Sequence, residues 1–339
     1  MLGSGTAEDP YQITNVTELQ LMKDNLSAYY ILVNDIDASD TINWNGGAGF
    51  IPIGNSTNAF FGALDGKEYE INALYIKRST VIYVGLFGYL STTKYIKNLG
   101  LLNVNITGLN NVGALVGKIY TGSPTIEKCY STGQVHGASY VGGLIGEVAT
   151  PATIRYCYSE VSVFGNVGGT YVGGLVGRST SAEYIYECYS VGNVIGGNEV
   201  GGFIGTTSSS CNVINCYSWG NVTITSNYGR GGGFVGGNNG VCSKSYSVGF
   251  LTVPAHGYFG GFCGQSYGTI SYCYYDKETS GQSDTGKGIP KTTAEMKQQA
   301  TFVTWDFEIV WYIEENITYP TFIWQLPVSA FIPKIIMII

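Results

Sequence analysis

The chain has 339 residues, which is long enough to bury a large core. Only 12 % of the residues are charged, whereas glycine occurs 49 times and tyrosine 27 times, and this composition is typical of an ordered, Gly-rich β protein. The net charge of −7 and the scattered basic residues argue against a nucleic-acid-binding surface. Eight cysteines without a Cys-x-x-Cys pair, together with only two histidines, argue against a zinc site.

Residues 1–50 are predicted to form a small α/β cap. Tyr11 to Ile13 predicts a first strand, and Asn15 to Leu26 predicts a helix whose N-cap is Asn15. Tyr30 to Val33 predicts a second strand, which leads into an acidic turn.

The acidic turn contains Asp35, Asp37 and Asp40. Alternate carboxylates on a turn suit Ca²⁺, so calcium is the one candidate cofactor of this chain. The EF-hand pattern is not met, because no Gly or Glu follows at the required positions. The alternative interpretation is that these side chains cap turns and bind no metal.

Residues 51–275 contain two short phrases that alternate along the chain. The first phrase reads Tyr-Val-Gly-Gly-Leu-Val-Gly at Tyr171 to Gly177, and the second reads Ile-Tyr-Glu-Cys-Tyr-Ser-Val-Gly-Asn-Val at Ile185 to Val194. Together they make a unit of 28 to 31 residues that contains short strands and no helical segment. A propeller blade needs about 40 residues, so this period favours one coil of a parallel β-helix per unit.

The glycines of the first phrase do not form a phosphate loop, because the phrase lacks a Gly-Lys-Ser/Thr ending. We expect them to permit close packing and to adopt positive φ angles at the corner of each coil.

Alternation within the second phrase predicts which side chains face the core. Small or apolar residues occupy one set of positions, and this set should point inward. The sequence leaves open whether its cysteines are small hydrophobic core residues or form disulfides between neighbouring rungs, which lie about 4.8 Å apart. This internal cysteine column comprises Cys129, Cys157, Cys188, Cys216 and Cys273.

The other set of positions in the second phrase should face outward, and it contains one tyrosine per repeat. Two interpretations remain open: the rings stack only on one another, or they form an exposed stripe that contacts a glycan or a protein partner. This tyrosine column comprises Tyr130, Tyr158, Tyr189, Tyr217, Tyr246 and Tyr274.

The end of the chain is aromatic and then apolar. Residues 276–326 are predicted to cover the open end of the β-helix with an aromatic cluster, because an uncapped last rung exposes unpaired strand groups. Residues 327–339 are predicted to contact another subunit and support head-to-tail assembly. The alternatives are a cover for the chain's own β-helix and a truncated membrane anchor.

The copies of Val-Gly-Gly-Leu-Val-Gly resemble the GLUG motif of bacterial and archaeal surface proteins, and Cys-Tyr-Ser-x-Gly-x-Val is similar to its companion segment. The resemblance covers residues 3–325. It implies a right-handed parallel β-helix (β-solenoid) on an extracellular, adhesin-like protein, and it implies no established activity, because the motif marks architecture. The departures from the pattern are Ser245 in the cysteine column, Gly231 where valine is expected, and the apolar tail after Pro327.

The repeat array is poor in catalytic side chains. No aspartate lies between Asp65 and Asp276, so the clustered carboxylates of polysaccharide hydrolases are missing. Glu183 and Glu187 are the closest acidic pair, and we expect both to be solvated. His136 and His256 have no Ser or Cys partner at a recognisable spacing, so the sequence predicts no enzyme.

The sequence therefore predicts an extracellular structural or adhesin-like surface protein that self-associates or contacts a cell surface. The alternative is a carbohydrate- or cell-binding β-helix module that uses the tyrosine column. Six Asn-x-Ser/Thr sites would carry glycans only in an organism that glycosylates secreted asparagines. They are Asn15, Asn25, Asn55, Asn105, Asn221 and Asn316.

Overall fold

The two repeated phrases fold into three parallel β-sheets that form the sides of a β-solenoid. The computed structural model describes residues 1–327. The first phrase contributes two short strands per coil, which pair with the equivalent strands of the coils above and below. The second phrase forms the third side, where identical positions of successive repeats lie directly opposite one another. Each strand therefore pairs with the equivalent strand of the next repeat, as the spacing of the phrases predicts.

The first sheet carries the second phrase and runs the length of the solenoid. Its strands are Tyr11–Ile13, Tyr29–Leu32, Ile36–Asp37, Ala63–Asp65, Glu70–Asn72, Tyr75–Lys77, Tyr95–Thr107, Thr125–Gly137, Thr153–Arg155, Tyr158–Gly165, Tyr184–Tyr186, Tyr189–Ser190, Val194–Gly196, Asn212–Ile214, Tyr217–Ser218, Val222–Ile224, Val241–Ser243, Tyr246–Ser247, Leu251–Thr252, Thr269–Ser271, Tyr274–Asp276 and Ile289–Lys291.

The other two sheets carry the first phrase. The second sheet comprises Phe87–Thr92, Val116–Gly122, Ile145–Val148, Val176–Ser179, Ile204–Thr206, Val235–Asn238 and Cys263–Ser266. The third sheet comprises Asn110–Val112, Ser139–Gly142, Thr170–Gly173, Asn198–Gly201, Gly229–Gly232 and Gly257–Gly260.

The N-terminal region is more than a cap. An α-helix spans Val16–Leu21, capped by the Asn15 side chain, which accepts a hydrogen bond from the Glu18 N–H, and a 3₁₀ turn follows at Met22–Asp24. The flanking strands Tyr11–Ile13 and Tyr29–Leu32 pair in parallel with each other and then with Ala63–Asp65. The predicted division at residue 50 is therefore wrong, because the solenoid begins at Tyr11.

The second Gly of each Gly-Gly pair allows the coil to close. A Cβ atom at Gly143 would lie 2.0 Å from the Ser159 Oγ and 2.2 Å from the Gly174 carbonyl oxygen, which no alanine could tolerate. The Ser131 hydroxyl donates to the Gly143 carbonyl at 3.0 Å, so the serine of one phrase contacts the glycine of the other across the core. Close packing is therefore the reason for these glycines.

The predicted positive φ angles fall elsewhere. The left-handed residue at this corner precedes the valine of the phrase, as at Tyr140 and Tyr171, with φ of 58° and 65°. The Gly-Gly pairs themselves have no positive φ. The expectation that these glycines supply the left-handed conformation is wrong, because a hydrogen-bonded stack holds non-glycine residues there instead.

The cysteine column lies in the core, and its five members are at most 1 % exposed. All eight cysteines are free thiols. Each column residue donates to the carbonyl two positions earlier, as Cys157 does to the Arg155 oxygen at 3.2 Å. Ser245 makes the same bond to the Ser243 oxygen at 2.8 Å and accepts from the Cys216 N–H at 3.1 Å. Serine can therefore replace cysteine in this column because it makes the same contacts.

The last rung is covered by a short stretch that directly follows it. A helix at Lys277–Ser280 leads to strand Ile289–Lys291, which pairs with Tyr274–Asp276. The Lys287 ammonium donates to the carbonyl oxygens of Phe259 and Gly264, both at 2.8 Å, and so closes the end of the core.

Residues 295–326, named here the C-terminal segment, pack along the side of the solenoid. They contain the 3₁₀ turns Glu295–Lys297, Gln299–Thr301 and Ile323–Gln325 and the antiparallel strands Trp311–Tyr312 and Thr321–Phe322. Two further 3₁₀ turns, separated by a kink at residues 44–46, lie within Ser39–Gly47 near the N-terminus. The predicted aromatic cluster exists, but it covers a flank and not the open end. The prediction for the apolar tail concerns residues that lie almost entirely outside the described range.

Candidate functional site: the uncovered end of the tyrosine column

The first four members of the tyrosine column form a stack of nearly parallel rings on the outer face of the first sheet. Ring centroids are 4.7 Å apart between Tyr130 and Tyr158, 4.6 Å between Tyr158 and Tyr189, and 4.8 Å between Tyr189 and Tyr217. The planes of these pairs differ by only 3° to 4°. Because the rings follow the strand spacing, their faces are covered by one another.

The C-terminal segment covers most of this column. Trp311 packs against Tyr217 and Tyr246, and Phe322 packs against Tyr189 and Tyr217. The resulting aromatic core buries four members of the column, Tyr189, Tyr217, Tyr246 and Tyr274. The prediction of a six-residue exposed stripe is therefore wrong, because the chain folds back over two thirds of it.

Hydrogen bonds fix the covering segment in place. The Tyr246 hydroxyl donates to the Pro320 carbonyl and accepts from the Trp219 indole N–H at 2.8 Å. The Tyr217 hydroxyl accepts from the Gln325 side-chain amide at 2.9 Å. The buried Asp276 carboxylate accepts from the Tyr319 hydroxyl at 2.6 Å, which ties the segment to the last rung.

The two remaining tyrosines, Tyr130 and Tyr158, form the floor of an open groove of about 730 Å³. This volume lies in the range of small-ligand sites. The groove is lined by Glu68, Asn98, Glu127, Lys128, Tyr130, Tyr156, Tyr158, Glu187, Ile309, Ile323 and Trp324.

One wall of the groove is a second column, whose members directly precede Leu99, Cys129, Cys157 and Cys188, and Leu99 lies opposite Cys129 on the neighbouring rung. Asn98, Lys128, Tyr156 and Glu187 all adopt the left-handed conformation, with φ between 50° and 54°. Tyr156 and Glu187 lie between two strands of the first sheet, whereas Asn98 and Lys128 each lie within a single strand, so this column places unlike side chains on successive rungs. The opposite wall is the end of the C-terminal segment.

The electrostatics of the groove are dominated by carboxylates. Burial, reinforced by the nearby Asp306, raises the pKa of Glu187. Burial raises the pKa of Tyr158 to about 12, and burial together with a hydrogen bond to Glu70 raises the pKa of Tyr130. The Arg155 guanidinium donates to Glu127 at 3.1 Å and to the Tyr186 hydroxyl at 3.1 Å.

Glu183 does not lie on a solvated face. Its side chain is fully buried, accepts from the Ser179 hydroxyl and accepts from the Ser181 N–H at 3.1 Å. Burial raises its pKa. The expectation of a solvated Glu183–Glu187 pair is wrong, since Glu183 points into the solenoid and Glu187 is half-buried at the groove.

The predicted calcium site is not assembled. The Asp35 carboxylate accepts from the Glu70 N–H at 2.9 Å, whereas the Asp37 carboxylate accepts from the Ser39 N–H at 2.9 Å. Asp40 lies in the first turn of a 3₁₀ stretch. Within residues 1–327 no three acidic, histidine or cysteine side chains form a group that could hold a metal ion. The turn-capping interpretation fits the Asp37 contact, whereas Asp35 bonds to the neighbouring rung.

The two histidines pack on aromatic neighbours. The His136 ring stacks on Phe164 at 4.4 Å, and the His256 ring stacks on Tyr228 at 5.5 Å. Of the asparagines in glycosylation sequences, Asn15 caps a helix and Asn105 is half-buried in a strand. The remaining four are exposed: Asn25, Asn55, Asn221 and Asn316.

Sequence reasoning missed the groove residues Glu68, Asn98, Lys128 and Trp324. Alignment of the repeats could have indicated the left-handed column, because Lys128, Tyr156 and Glu187 each precede a member of the cysteine column by one residue. The side chains at these positions differ from repeat to repeat and so form no recognisable pattern, whereas the tyrosine column repeats a single residue type. Nothing in the periodicity indicated that Trp324 would close the groove.

Three curated proteins resemble parts of this chain. Halomucin of Haloquadratum walsbyi is 41 % identical over 152 residues, which is 43 % of this chain and 2 % of that protein. A protein of Evansella cellulosilytica, provisionally named a Gly-rich membrane protein, is 32 % identical over 385 residues, or 93 % of this chain and 44 % of that protein. The immunoglobulin A1 protease of Streptococcus sanguinis is 31 % identical over 138 residues, which is 40 % of this chain and 7 % of that protein. The chain thus spans less than half the length of each of these relatives.

A solved structure shares the fold. The crystal structure of a Bacteroides ovatus protein, provisionally titled an immunoglobulin A1 protease, superposes with a TM-score of 0.66. The match covers 95 % of this chain and 94 % of that one, at 23 % identity. No family model matches the chain. Among residues 1–327, no helix has the length and apolarity of a membrane span.

Proposed function

We propose that this chain is a surface-associated, extracellular β-solenoid module with a structural or adhesin-like role. The observation that carries the proposal is the uninterrupted stack of parallel rungs from Tyr11 to Ser271, built from repeats related to those of a mucin-named and a membrane-named protein. Coils that contact only their neighbours suit a stiff spacer that holds a binding surface away from its attachment point.

The repeats themselves support assignment to the GLUG-motif family. The Gly-Gly pair and the Cys-Tyr-Ser phrase are coupled in space through the serine–glycine contacts, so the two halves of the motif form one structural unit. This unit accounts for the recurrence of both phrases without any catalytic requirement.

A non-enzymatic role is part of the proposal, although two similar proteins carry protease names. The similarity to the Streptococcus sanguinis protease covers only 40 % of this chain and 7 % of that protein. Within the described residues, His136 and His256 stack on aromatic rings, and Glu183 is enclosed in the core. None of these side chains offers an exposed nucleophile–base pair.

Labelling of intact producing cells tests the surface location. A membrane-impermeant amine-reactive biotin reagent should modify this protein in whole cells while a cytoplasmic marker stays unlabelled. Labelling that appears only after lysis would contradict the proposal.

Incubation with immunoglobulin A1 tests the non-enzymatic role. We expect no cleavage of the antibody by the purified chain. Cleavage that a single substitution in the chain abolishes would overturn this part of the proposal. Self-association, the remaining part, is tested by the mass of the purified chain in solution over a range of concentrations.

A further inference from the structure

The groove at the uncovered end of the tyrosine column is elongated along the solenoid. Its left-handed wall takes one residue from each of five successive rungs, beginning at Glu68, whose N–H donates to the Asn98 carbonyl of the next rung, and ending at Glu187. Four spacings of about 4.8 Å give a length of about 19 Å. An extended peptide rises about 3.3 Å per residue, so about six residues would fill this length.

The lining is rich in hydrogen-bond acceptors and negative charge. Three carboxylates, Glu68, Glu127 and Glu187, face a single ammonium group, Lys128. Within residues 1–327, Glu68 and Glu187 have no basic side chain within ion-pair distance, whereas Glu127 is paired with Arg155. Burial raises the pKa of Glu187, and the nearby negative charge of Asp306 raises it further.

The ring faces of the floor are not available to a ligand. Tyr158 is sandwiched between Tyr130 and Tyr189, and Tyr130 lies over Gly100, where a Cβ atom would be 2.6 Å from the Tyr130 ring. A sugar ring therefore has no free face of these two tyrosines on which to stack. Ring edges and the carboxylates of the walls remain, and carboxylates accept hydrogen bonds but cannot donate them.

Beside the groove, carboxylate and tyrosine side chains already bind a cationic group of the chain itself. The Arg155 guanidinium bonds to Glu127 and to the Tyr186 hydroxyl, and it lies over the Tyr156 ring at 5.8 Å. Lysine and arginine side chains are the donors that complement such a mixture of carboxylate and aromatic groups.

We propose that this groove binds an extended segment of a partner protein through its lysine or arginine side chains. The length of the groove favours a segment over a single small cation, which would leave most of the wall unoccupied. The net charge of −7 would also steer a basic partner toward this molecule. This inference goes beyond the proposed surface role and does not depend on it.

Calorimetric titration of the full chain with a capped Lys-Ser-Lys-Ser-Lys-Ser peptide tests the proposal. Binding should weaken at high salt, and the peptide in which glutamine replaces each lysine should not bind. The double variant Glu68→Gln, Glu187→Gln should lose about tenfold or more in affinity, because each removed charge weakens a charge-assisted bond.

The matched control is Glu8→Gln, Glu314→Gln, which changes the net charge equally at two exposed positions outside the groove. It should bind the lysine peptide as the unmodified chain does. Equal losses in both double variants, or failure of the lysine peptide to bind the full chain, would overturn the proposal. Binding of a neutral oligosaccharide such as maltohexaose that competes with the lysine peptide and survives the Glu68→Gln, Glu187→Gln change would do the same, in favour of a glycan ligand.

Discussion

At the scale of single residues, the cysteine column is selected for hydrogen bonding as well as for size. The Cys157 Sγ accepts from the Cys129 N–H at 3.5 Å and donates to the Arg155 carbonyl. Burial raises the pKa of the Cys273 thiol to about 12, and that of Cys216 also rises, so these thiols are poor nucleophiles. The cysteine side chains therefore pair backbone N–H and carbonyl groups that would otherwise be left without a partner in the core.

Two substitutions at Cys157 separate these roles. The free energy of unfolding of Cys157→Ser should lie within about 1 kcal/mol of that of the unmodified chain, because Ser245 already makes both hydrogen bonds in this column. Cys157→Val should cost about 1–3 kcal/mol, because it leaves the Cys129 N–H unpaired in the core. Urea unfolding measures both free energies, and a valine variant as stable as the serine variant would refute the explanation.

Glu183 gives a pH-dependent prediction. Because burial raises its pKa in the folded state, its contribution to stability is complete below the unfolded-state pKa and is lost as pH rises through the folded-state pKa. Glu183→Gln removes this loss, so the melting temperature of the variant should rise relative to that of the unmodified chain as the pH increases above about 4, the ordinary pKa of a glutamate.

The exposed Glu160 supplies the control for this series. Glu160→Gln should melt with the same pH profile as the unmodified chain. If the Glu183→Gln profile also stays parallel, the buried carboxylate does not titrate as its surroundings require.

At the scale of elements, the C-terminal segment is the main feature that the sequence did not predict. Alternation correctly placed the tyrosines outside the solenoid, because side-chain direction in a strand is a local property. Which segment packs on that outer face is a long-range property, and a cluster of aromatic residues suits the end of a solenoid as well as its side. The groove escaped prediction for the same reason, since Trp324 reaches it only through this packing.

Trp311 tests the importance of this packing. Its side chain is fully buried among Tyr217, Tyr246 and Phe322, so Trp311→Ala should cost about 3–5 kcal/mol of unfolding free energy. The neighbouring Tyr312 is 39 % exposed, and Tyr312→Ala should change stability by about 0.5 kcal/mol or less. Similar losses in the two variants, measured by urea unfolding, would show that the segment does not pack as described.

At the scale of the whole molecule, the repeat determined most of what could be predicted. A fixed period with Gly, Cys and Tyr in register identifies the solenoid, the inward column and the outward column, because stacked rungs repeat the same environment. The first rungs were misassigned because the strands at Tyr11 and Tyr29 lack both phrases, although they pair in the same sheet. Features that break the repeat therefore have to be observed.

The C-terminal segment is a fixed wall of the solenoid, and it leaves only the end of the tyrosine column at Tyr130 and Tyr158 open as a groove. Hydrogen–deuterium exchange of the full chain tests it most directly. The Trp311 and Ile323 amides are bonded within the segment, at 2.8 Å and 3.0 Å, so peptides that cover them should exchange as slowly as those that cover Tyr189 and Tyr217. Exchange of residues 305–324 at the rate of an unfolded chain, while the rungs beneath stay protected, would contradict the packing of the C-terminal segment against the solenoid.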